Sequence, residues 1–177
     1  MSKSKKIVLS GLLLAILIVF SRFVSIKTPI LVISFSYIPI MLSAILLGPK
    51  YSTAIAGLGD LIGALLFPFG GYFVGFTITS ALSGLVYGLL LYSKDGKYFK
   101  GKNLIIRLII SSIIVLGIID LPIYSVMIHF LHSKAFMSVL LSRATLKVCM
   151  LPIQVITIYF LSLYIGNLAE KYLIEKD

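Results

Sequence analysis

The sequence predicts an all-α integral membrane protein folded as a bundle of six helices. Of its 177 residues, 59% are hydrophobic and only 12% are charged, and the mean hydropathy is +1.10. Soluble domains contain about 45–50% apolar and about 25% charged residues. Apolar runs separated by short connectors are typical of helices that cross a hydrocarbon layer about 30 Å thick. We expect one transmembrane domain over residues 1–177 and no separate soluble domain.

Prolines, glycines and polar connectors set the limits of the predicted helices. The first helix ends before Lys27-Thr28-Pro29, because a residue that precedes proline avoids the α conformation. Gly48-Pro49 separates the second and third helices, both of which are shorter than a full span. The β-branched segment 30–36 predicts an extended or partly folded loop. The predicted helices cover about residues 7–25, 37–48, 51–67, 73–92, 104–131 and 136–168.

The distribution of Lys and Arg predicts a membrane orientation with both termini in the cytoplasm. Cytoplasmic connectors are enriched in basic residues. With six spans, most of the sixteen basic residues fall on the side that holds the N-terminus and the connector 94–102. No clean cleavage site follows the first helix, so we expect it to be retained. Despite the net charge of +10, the basic residues lie in short connectors rather than along one face, which argues against a nucleic-acid partner.

The chain lacks the patterns of an enzyme or a metal protein. Cys149 is the single cysteine, and His129 and His132 are not part of an H-E-x-x-H motif. The Gly-Lys pairs at 96–97 and 101–102 lack the spacing and the following Ser or Thr of a phosphate-binding loop. We therefore predict no catalytic residue, no metal site and no cofactor, and we expect ATP hydrolysis to lie outside this chain.

Charged residues inside apolar helices mark the candidate site. A charge in a membrane span costs about 2.5–3.5 kcal/mol on insertion scales. At about 1.5 Å per helical residue, Asp60, Asp120, Arg143 and Lys147 all fall in the outer half of the bundle, near Arg22. Two interpretations are open: internal pairs, Asp120 with Lys147 and Asp60 with Arg143, or a ligand pocket open to the outside. Because the cations outnumber the carboxylates, such a pocket favours an anionic small molecule.

Aromatic and hydroxyl side chains cluster around the outer loops and helix ends. As ligand contacts, the aromatic rings would stack on a planar molecule; as an interfacial belt, they would face lipid. Hydroxyl groups within helices often bond only their own backbone. The candidates for ligand contact are Phe35, Tyr37, Phe69, Tyr72, Phe76, Thr77 and Tyr124.

A pair of small residues lies near the cytoplasmic end of the first helix. Gly11 and Ala15 are four residues apart and so share one helix face. Small residues at this spacing allow another helix to approach closely. The pair predicts either packing within the bundle or docking to a partner membrane protein.

Several sequence blocks resemble a known family. They are G-L-L-L-A, S-Y-I-P-I-M-L-S-A-I-L-L-G-P-K-Y-S, A-G-L-G-D-L-I-G, P-F-G-G-Y-F-V-G-F-T-I-T-S-A-L-S-G-L-V-Y-G-L and R-A-T-L-K-V-C-M-L-P-I-Q. Over nearly its whole length the chain resembles the substrate-binding S components of energy-coupling factor (ECF) vitamin transporters. It is most similar to the folate-specific members, notably in the G-D-L-I-G to G-F-T block and the R-x-x-x-K-x-x-x-x-P-I segment.

The resemblance implies a high-affinity receptor that captures a vitamin from outside the cell for ATP-driven import. The three outer loops would form a lid. A transmembrane coupling subunit would dock on Gly11-x-x-x-Ala15, and two cytoplasmic ATPase subunits would supply the energy. Riboflavin, thiamine, pantothenate and a queuosine precursor remain alternative substrates, and a non-transport membrane scaffold remains an alternative function.

For folate, the resemblance and the charge pattern together assign roles to the charged residues. A carboxylate, Asp60 or Asp120, would read the pterin ring while aromatic side chains stack on it. The glutamate tail would meet Arg22, Arg143 or Lys147.

Overall fold

Helices make up most of the chain in the computed structural model, which describes residues 2–27, 32–68, 72–93, 102–123, 126 and 136–169. Within these ranges the six α-helices are α1 (Lys3–Arg22), α2 (Tyr37–Leu47), α3 (Pro49–Leu66), α4 (Val74–Leu91), α5 (Lys102–Ile113) and α6 (Phe136–Ala169). Four helical stretches there are long and apolar enough to cross a membrane. They are Lys3–Arg22, Val74–Leu91, Asn103–Ile123 and Leu140–Tyr164.

The first helix begins earlier and ends sooner than predicted. The backbone N–H of Lys5 donates to Oγ of Ser2 at 3.4 Å, so Ser2 caps a helix that starts at Lys3. A cap of this kind satisfies one of the four backbone donors that a helix start leaves open. At the other end, α1 stops at Arg22 because the chain turns into a strand.

A short β-hairpin, absent from the all-α prediction, connects α1 and α2. Strands β1 (Ser25–Lys27) and β2 (Val32–Ser34) pair antiparallel, with Ile26 opposite Ile33. Alternating β-branched residues favour strand pairing over a helix, which agrees with the extended conformation predicted for 30–36. We call the end of the bundle that carries strands β1 and β2 the hairpin end.

The helix that starts at α5 changes its winding before it reaches Pro122. Residues Ile114–Asp120 form a π-helical segment, in which the Leu121 N–H bonds to the carbonyl of Leu116, five residues earlier. Proline lacks an N–H and its ring clashes with the carbonyl four residues before it in an α-helix, so a wider turn suits this position. Such turns are rare and often occur at functional sites. Beyond Ile123, most of the predicted range to residue 131 lies outside the described residues.

Helices α3 and α4 pack closely because small residues line their interface. A Cβ atom at Gly84 would lie 2.5 Å from the carbonyl oxygen of Ser52, and one at Gly88 would overlap the backbone of Pro49. The Ser52 hydroxyl donates to the Gly84 carbonyl at 2.7 Å. Small residues and interhelical hydrogen bonds are the usual means by which membrane helices associate.

Helix α2 lies at the centre of the bundle, in contact with α1, α3, α4 and α6. It is only 11 residues long, or about 16 Å. Gln154 of α6 donates to the Tyr87 hydroxyl of α4 at 2.9 Å and to Sδ of Met41 in α2 at 3.4 Å. This buried link joins three helices in the main apolar core.

Candidate functional site

Asp60 connects three helices at the hairpin end. Nη2 of Arg22, the last residue of α1, lies 3.7 Å from Oδ1 of Asp60 and donates to the Asp60 backbone carbonyl at 3.2 Å. The hydroxyl of Thr77, in the first turn of α4, donates to the other carboxylate oxygen at 2.8 Å. Each oxygen of the Asp60 carboxylate therefore faces a partner from a different helix.

Tyr72 extends this group toward the surface. Its hydroxyl lies 2.9 Å from Oγ1 of Thr77. Because an ionised carboxylate only accepts, Thr77 uses its proton on Asp60, and Tyr72 is the donor to Thr77. Tyr72 is 40% exposed, so a surface aromatic residue is joined to the partly buried Asp60 of α3 through one hydroxyl group.

The predicted pair of Asp60 with Arg143 is wrong. In the part of the chain that the structure describes, the cation beside Asp60 is Arg22. The physical reason is Gly63, one turn beyond Asp60: a Cβ atom there would lie 2.6 Å from Nε of Arg22. The missing side chain lets Arg22 lie across α3, which a comparison of depths alone does not reveal.

The second predicted pair is confirmed. Nζ of Lys147 on α6 lies 2.6 Å from Oδ2 of Asp120, which ends the π-helical segment. The two side chains are 20% and 17% exposed. Both groups are therefore largely removed from water. In such a setting, removing one partner of an ion pair leaves the other charge uncompensated.

Arg143 adds a cation to the α6 side of the site. It is buried, with 7% of its surface exposed, and it lies four residues before Lys147, so the two share a helix face. Buried charges in membrane proteins typically face the bundle interior and mark ligand or ion pathways. The predicted charged residues thus form two groups, Arg22 with Asp60 and Lys147 with Asp120, with Arg143 beside the second.

Aromatic residues form three ring contacts at the hairpin end. Phe23 and Phe67, at the ends of α1 and α3, meet edge to face with ring centroids 5.0 Å apart, and Phe73 contacts Phe76 at 6.3 Å. The ring of Phe35 lies 6.2 Å from that of Tyr37. The predicted contacts Phe69 and Tyr124 lie outside the described residues.

Sequence reasoning did not select three residues that shape the site or the core beneath it. They are Gly63, which makes room for Arg22, and the buried pair Tyr87 and Gln154. Gly63 lies three residues after the intramembrane carboxylate of Asp60, and this spacing is the sequence signal that could have indicated a close approach at that point. The pairing of Tyr87 with Gln154 joins residues 67 positions apart, and no local pattern indicates it.

The small pair on α1 faces away from the bundle. Gly11 and Ala15 are both exposed, and no heavy atom lies within 4 Å of a Cβ atom placed on Gly11. Packing against the described helices is therefore not the role of this pair. The face remains available to another helix.

The described ranges contain no group of three or more His, Cys, Asp or Glu side chains that could hold a metal ion. Cys149 is exposed on α6. His129 and His132 lie outside those ranges.

Apolar spanning helices with ionic and aromatic side chains gathered at one end define a multi-pass membrane protein of the transport type. The chain belongs to the family described as ECF-type riboflavin transporter, S component, whose model matches residues 1–171. The resemblance found in the sequence is confirmed. The relatives in this family are transporter components and not enzymes.

Curated relatives with a more specific name are also similar to this chain. The folate transporter FolT of Clostridium novyi (strain NT) is 30% identical over 159 residues, covering 90% of this chain and 88% of the relative. The folate transporter FolT of Leuconostoc mesenteroides subsp. mesenteroides is 32% identical over 163 residues, covering 89% of this chain and 84% of the relative.

A solved structure shares the fold. The crystal structure of FolT bound with folic acid has a TM-score of 0.79 and 32% identity to this chain, covering 89% of this chain and 92% of that one. The family description thus names riboflavin, whereas these relatives and this structure are named for folate.

Proposed function

We propose that this protein captures folate from outside the cell and delivers it to an ATP-driven ECF import complex. The observation that carries the proposal is the match to FolT bound with folic acid, at 32% identity over 89% of this chain. Two curated relatives named as folate transporters support the same substrate.

The charges of the site support an anionic ligand. Folate carries a glutamate tail with two carboxylates, whereas riboflavin is uncharged at neutral pH. Arg22, Arg143 and Lys147 supply three cations against the carboxylates Asp60 and Asp120. We assign the tail to this cationic set, because a charge-assisted hydrogen bond to a carboxylate is about twice as strong as a neutral one.

The two carboxylates differ in what they can offer a ligand. Both oxygens of Asp60 already face protein partners, Arg22 and Thr77, which supports a positioning role. The ion pair of Asp120 uses Oδ2, so Oδ1 can accept from a ring amino group. In this proposal Asp120 accepts a hydrogen bond from the pterin ring, and Asp60 holds Arg22 in place.

We assign the contacts with the pterin ring to aromatic and hydroxyl residues at the hairpin end. Phe35, Tyr37, Tyr72 and Phe76 would enclose the planar pterin, with Thr77 between them and Asp60. Phe69 and Tyr124 remain proposals from sequence. The whole chain, residues 1–177, would act as one transmembrane substrate-binding domain.

We place this pocket in the outer half of the bundle, with both termini in the cytoplasm. The short helix α2 supports the placement. Helices α2 and α3 both extend from the turn at Gly48 toward the hairpin end, and α2 is seven residues shorter than α3. The end of α2 therefore lies about 10 Å deeper in the bundle than the end of α3, which leaves room for a ligand above it. The three loops at that end would close over the ligand. The excess of basic residues in the opposite connectors agrees with this orientation.

The proposed partners are a transmembrane coupling subunit and two cytoplasmic ATPase subunits. The exposed face of Gly11 and Ala15 would receive the coupling subunit, because small residues allow close approach of a second helix. The energy for import would come from the ATPases, since this chain has no phosphate-binding loop.

The substrate is tested by binding to the purified protein in detergent. Calorimetric titrations with folate and with riboflavin are compared, and the protein as isolated is denatured so that released molecules can be identified by mass spectrometry. We expect folate to bind and riboflavin not to bind at the same concentration. Riboflavin binding without folate binding would favour the second candidate, the substrate named in the family description.

A further inference from the structure

One buried hydroxyl group at the hairpin end has no hydrogen-bond partner within the described ranges. It belongs to Tyr37, the first residue of α2, which is 9% exposed. Burying a hydroxyl without a partner costs free energy, and each such group in a native protein calls for an explanation. Phenylalanine would place the same ring in the core without this cost.

A hydrogen bond to the protein's own backbone does not account for the buried hydroxyl of Tyr37. A serine such as Ser112 can turn its hydroxyl toward a carbonyl of its own helix, but a phenol oxygen is too far from its own backbone to do so. Tyr87, in the same apolar cluster, shows the alternative: its hydroxyl accepts from Gln154 at 2.9 Å. The fold therefore supplies a hydrogen-bond partner for the buried hydroxyl of Tyr87, whereas the described ranges supply none for that of Tyr37.

The position of Tyr37 along α2 puts it level with the ionic group of Asp60. Counted from Gly48, Tyr37 lies eleven residues back along α2 and Asp60 lies twelve residues on along α3. At about 1.5 Å per residue, the two residues lie at about the same height in the bundle. Below Tyr37 the apolar core continues through Met41, so Tyr37 marks the boundary between the core and the polar end.

We propose that the hydroxyl of Tyr37 is a specificity contact that hydrogen-bonds the polar edge of the ligand's planar heterocycle. A phenol is both a donor and an acceptor, which matches a ring edge that alternates N–H, C=O and ring nitrogen. The ligand then satisfies a group that the protein alone leaves without a partner. This inference rests on the proposed function for the identity of the ring.

Access to this hydroxyl requires a neighbouring side chain to move, because the oxygen is covered in the structure. We assign this movement to Phe35. Its ring lies 6.2 Å from that of Tyr37, and it is 39% exposed at the end of the hairpin. In this proposal, rotation of Phe35 toward the surface opens access to the Tyr37 hydroxyl.

The test is Tyr37→Phe, measured in two ways. Without ligand, the melting temperature of the variant should equal or exceed that of the wild type, since the substitution removes an unpaired buried hydroxyl. The dissociation constant for folate should rise about ten- to hundredfold, the range expected for one buried hydrogen bond. Pteroate, which lacks the glutamate, should show the same loss because it retains the ring.

Two control variants separate this role from a structural one. Tyr87→Phe removes a paired hydroxyl and should lower the melting temperature. Tyr164→Phe changes a residue that is 70% exposed and should change neither property. Unchanged folate and pteroate affinity in Tyr37→Phe would overturn the inference, and so would a lower melting temperature like that of Tyr87→Phe.

The wild-type titration distinguishes failure of this inference from failure of the proposed function. If wild type binds riboflavin and not folate, the proposed substrate is wrong, and the Tyr37→Phe comparison is made with riboflavin, whose ring edge also alternates donors and acceptors. Loss of riboflavin affinity would then support the role of Tyr37. Equal affinity would overturn it independently of the substrate.

Discussion

Gly63 lies directly beneath the guanidinium group of Arg22. A Cβ atom at Gly63 would come within 2.6 Å of Nε and 3.2 Å of Nη2 of Arg22. The same Nη2 atom contacts the carboxylate and the backbone carbonyl of Asp60. The position of a cation in the candidate site therefore depends on the absence of a side chain one turn away.

We predict that Gly63→Ala weakens folate binding about ten- to hundredfold while the protein stays folded. The added methyl group displaces the flexible end of Arg22, and loss of one charge-assisted hydrogen bond is worth about 1.5–3 kcal/mol. Alanine also favours the helix by about 0.5–1 kcal/mol, which offsets part of any strain. Calorimetric titration and a thermal melt of the same sample measure the two effects.

Gly11→Ala is the matched control, because a Cβ atom there meets no heavy atom within 4 Å. It should leave folate affinity unchanged. Equal affinities for Gly63→Ala and wild type would show that Arg22 does not need this position to bind the ligand.

The ion pair between Asp120 and Lys147 predicts strong coupling between two substitutions. Either Asp120→Asn or Lys147→Met alone should destabilise the protein by about 1–3 kcal/mol, because each leaves a largely buried charged group without its partner. The double variant should be less destabilised than the sum of the two. Thermal melts in detergent of all four proteins give the coupling energy, and additive effects would show that the pair contributes little.

The hydrogen-bond chain from Tyr72 through Thr77 to Asp60 predicts a kinetic effect. Thr77→Val keeps the shape of the side chain but removes the group that donates to Asp60 and accepts from Tyr72. Tyr72 is then no longer held over the site, so we expect folate to dissociate about three- to tenfold faster, as for the loss of one net hydrogen bond. Stopped-flow displacement measures this rate.

Thr53→Val provides the comparison for this kinetic effect. Within the described ranges, the Thr53 hydroxyl bonds the Pro49 carbonyl of its own helix, at 2.7 Å, so its loss should not alter folate dissociation. If the two variants release folate at the same rate, the connection through Thr77 does not hold Tyr72 over the ligand.

The sequence predicted the helices well because apolar length, proline and glycine determine them locally. Gly48, with φ of +88°, ends α2 close to the predicted residue, since glycine adopts this conformation without strain. The hairpin at Ile26 and Ile33 was not predicted as paired strands. Its pairing depends on how α1 and α2 bring the two segments together, which local composition does not specify.

The candidate site was predicted in its residue types but only partly in its partners. Depth along each helix correctly paired Asp120 with Lys147, because both residues lie at similar heights on neighbouring elements. The same argument wrongly paired Asp60 with Arg143. Depth gives no information on rotation about a helix axis, and it was the close contact at Gly63 that selected Arg22.

The exposed pair on α1 predicts a separation of binding from transport. Replacing Gly11 or Ala15 with Leu puts a large side chain on a face that the described helices leave uncovered, so folding and folate binding should remain. If the coupling subunit approaches through this face, the added bulk prevents close helix packing. Uptake of labelled folate by proteoliposomes that contain the full import complex should then fall at least tenfold, while titration of the isolated variant gives the wild-type affinity. Ala54→Leu, at an exposed position on α3, is the matched control and should support normal uptake. Normal uptake by the Gly11→Leu and Ala15→Leu variants would instead assign the coupling surface to another face.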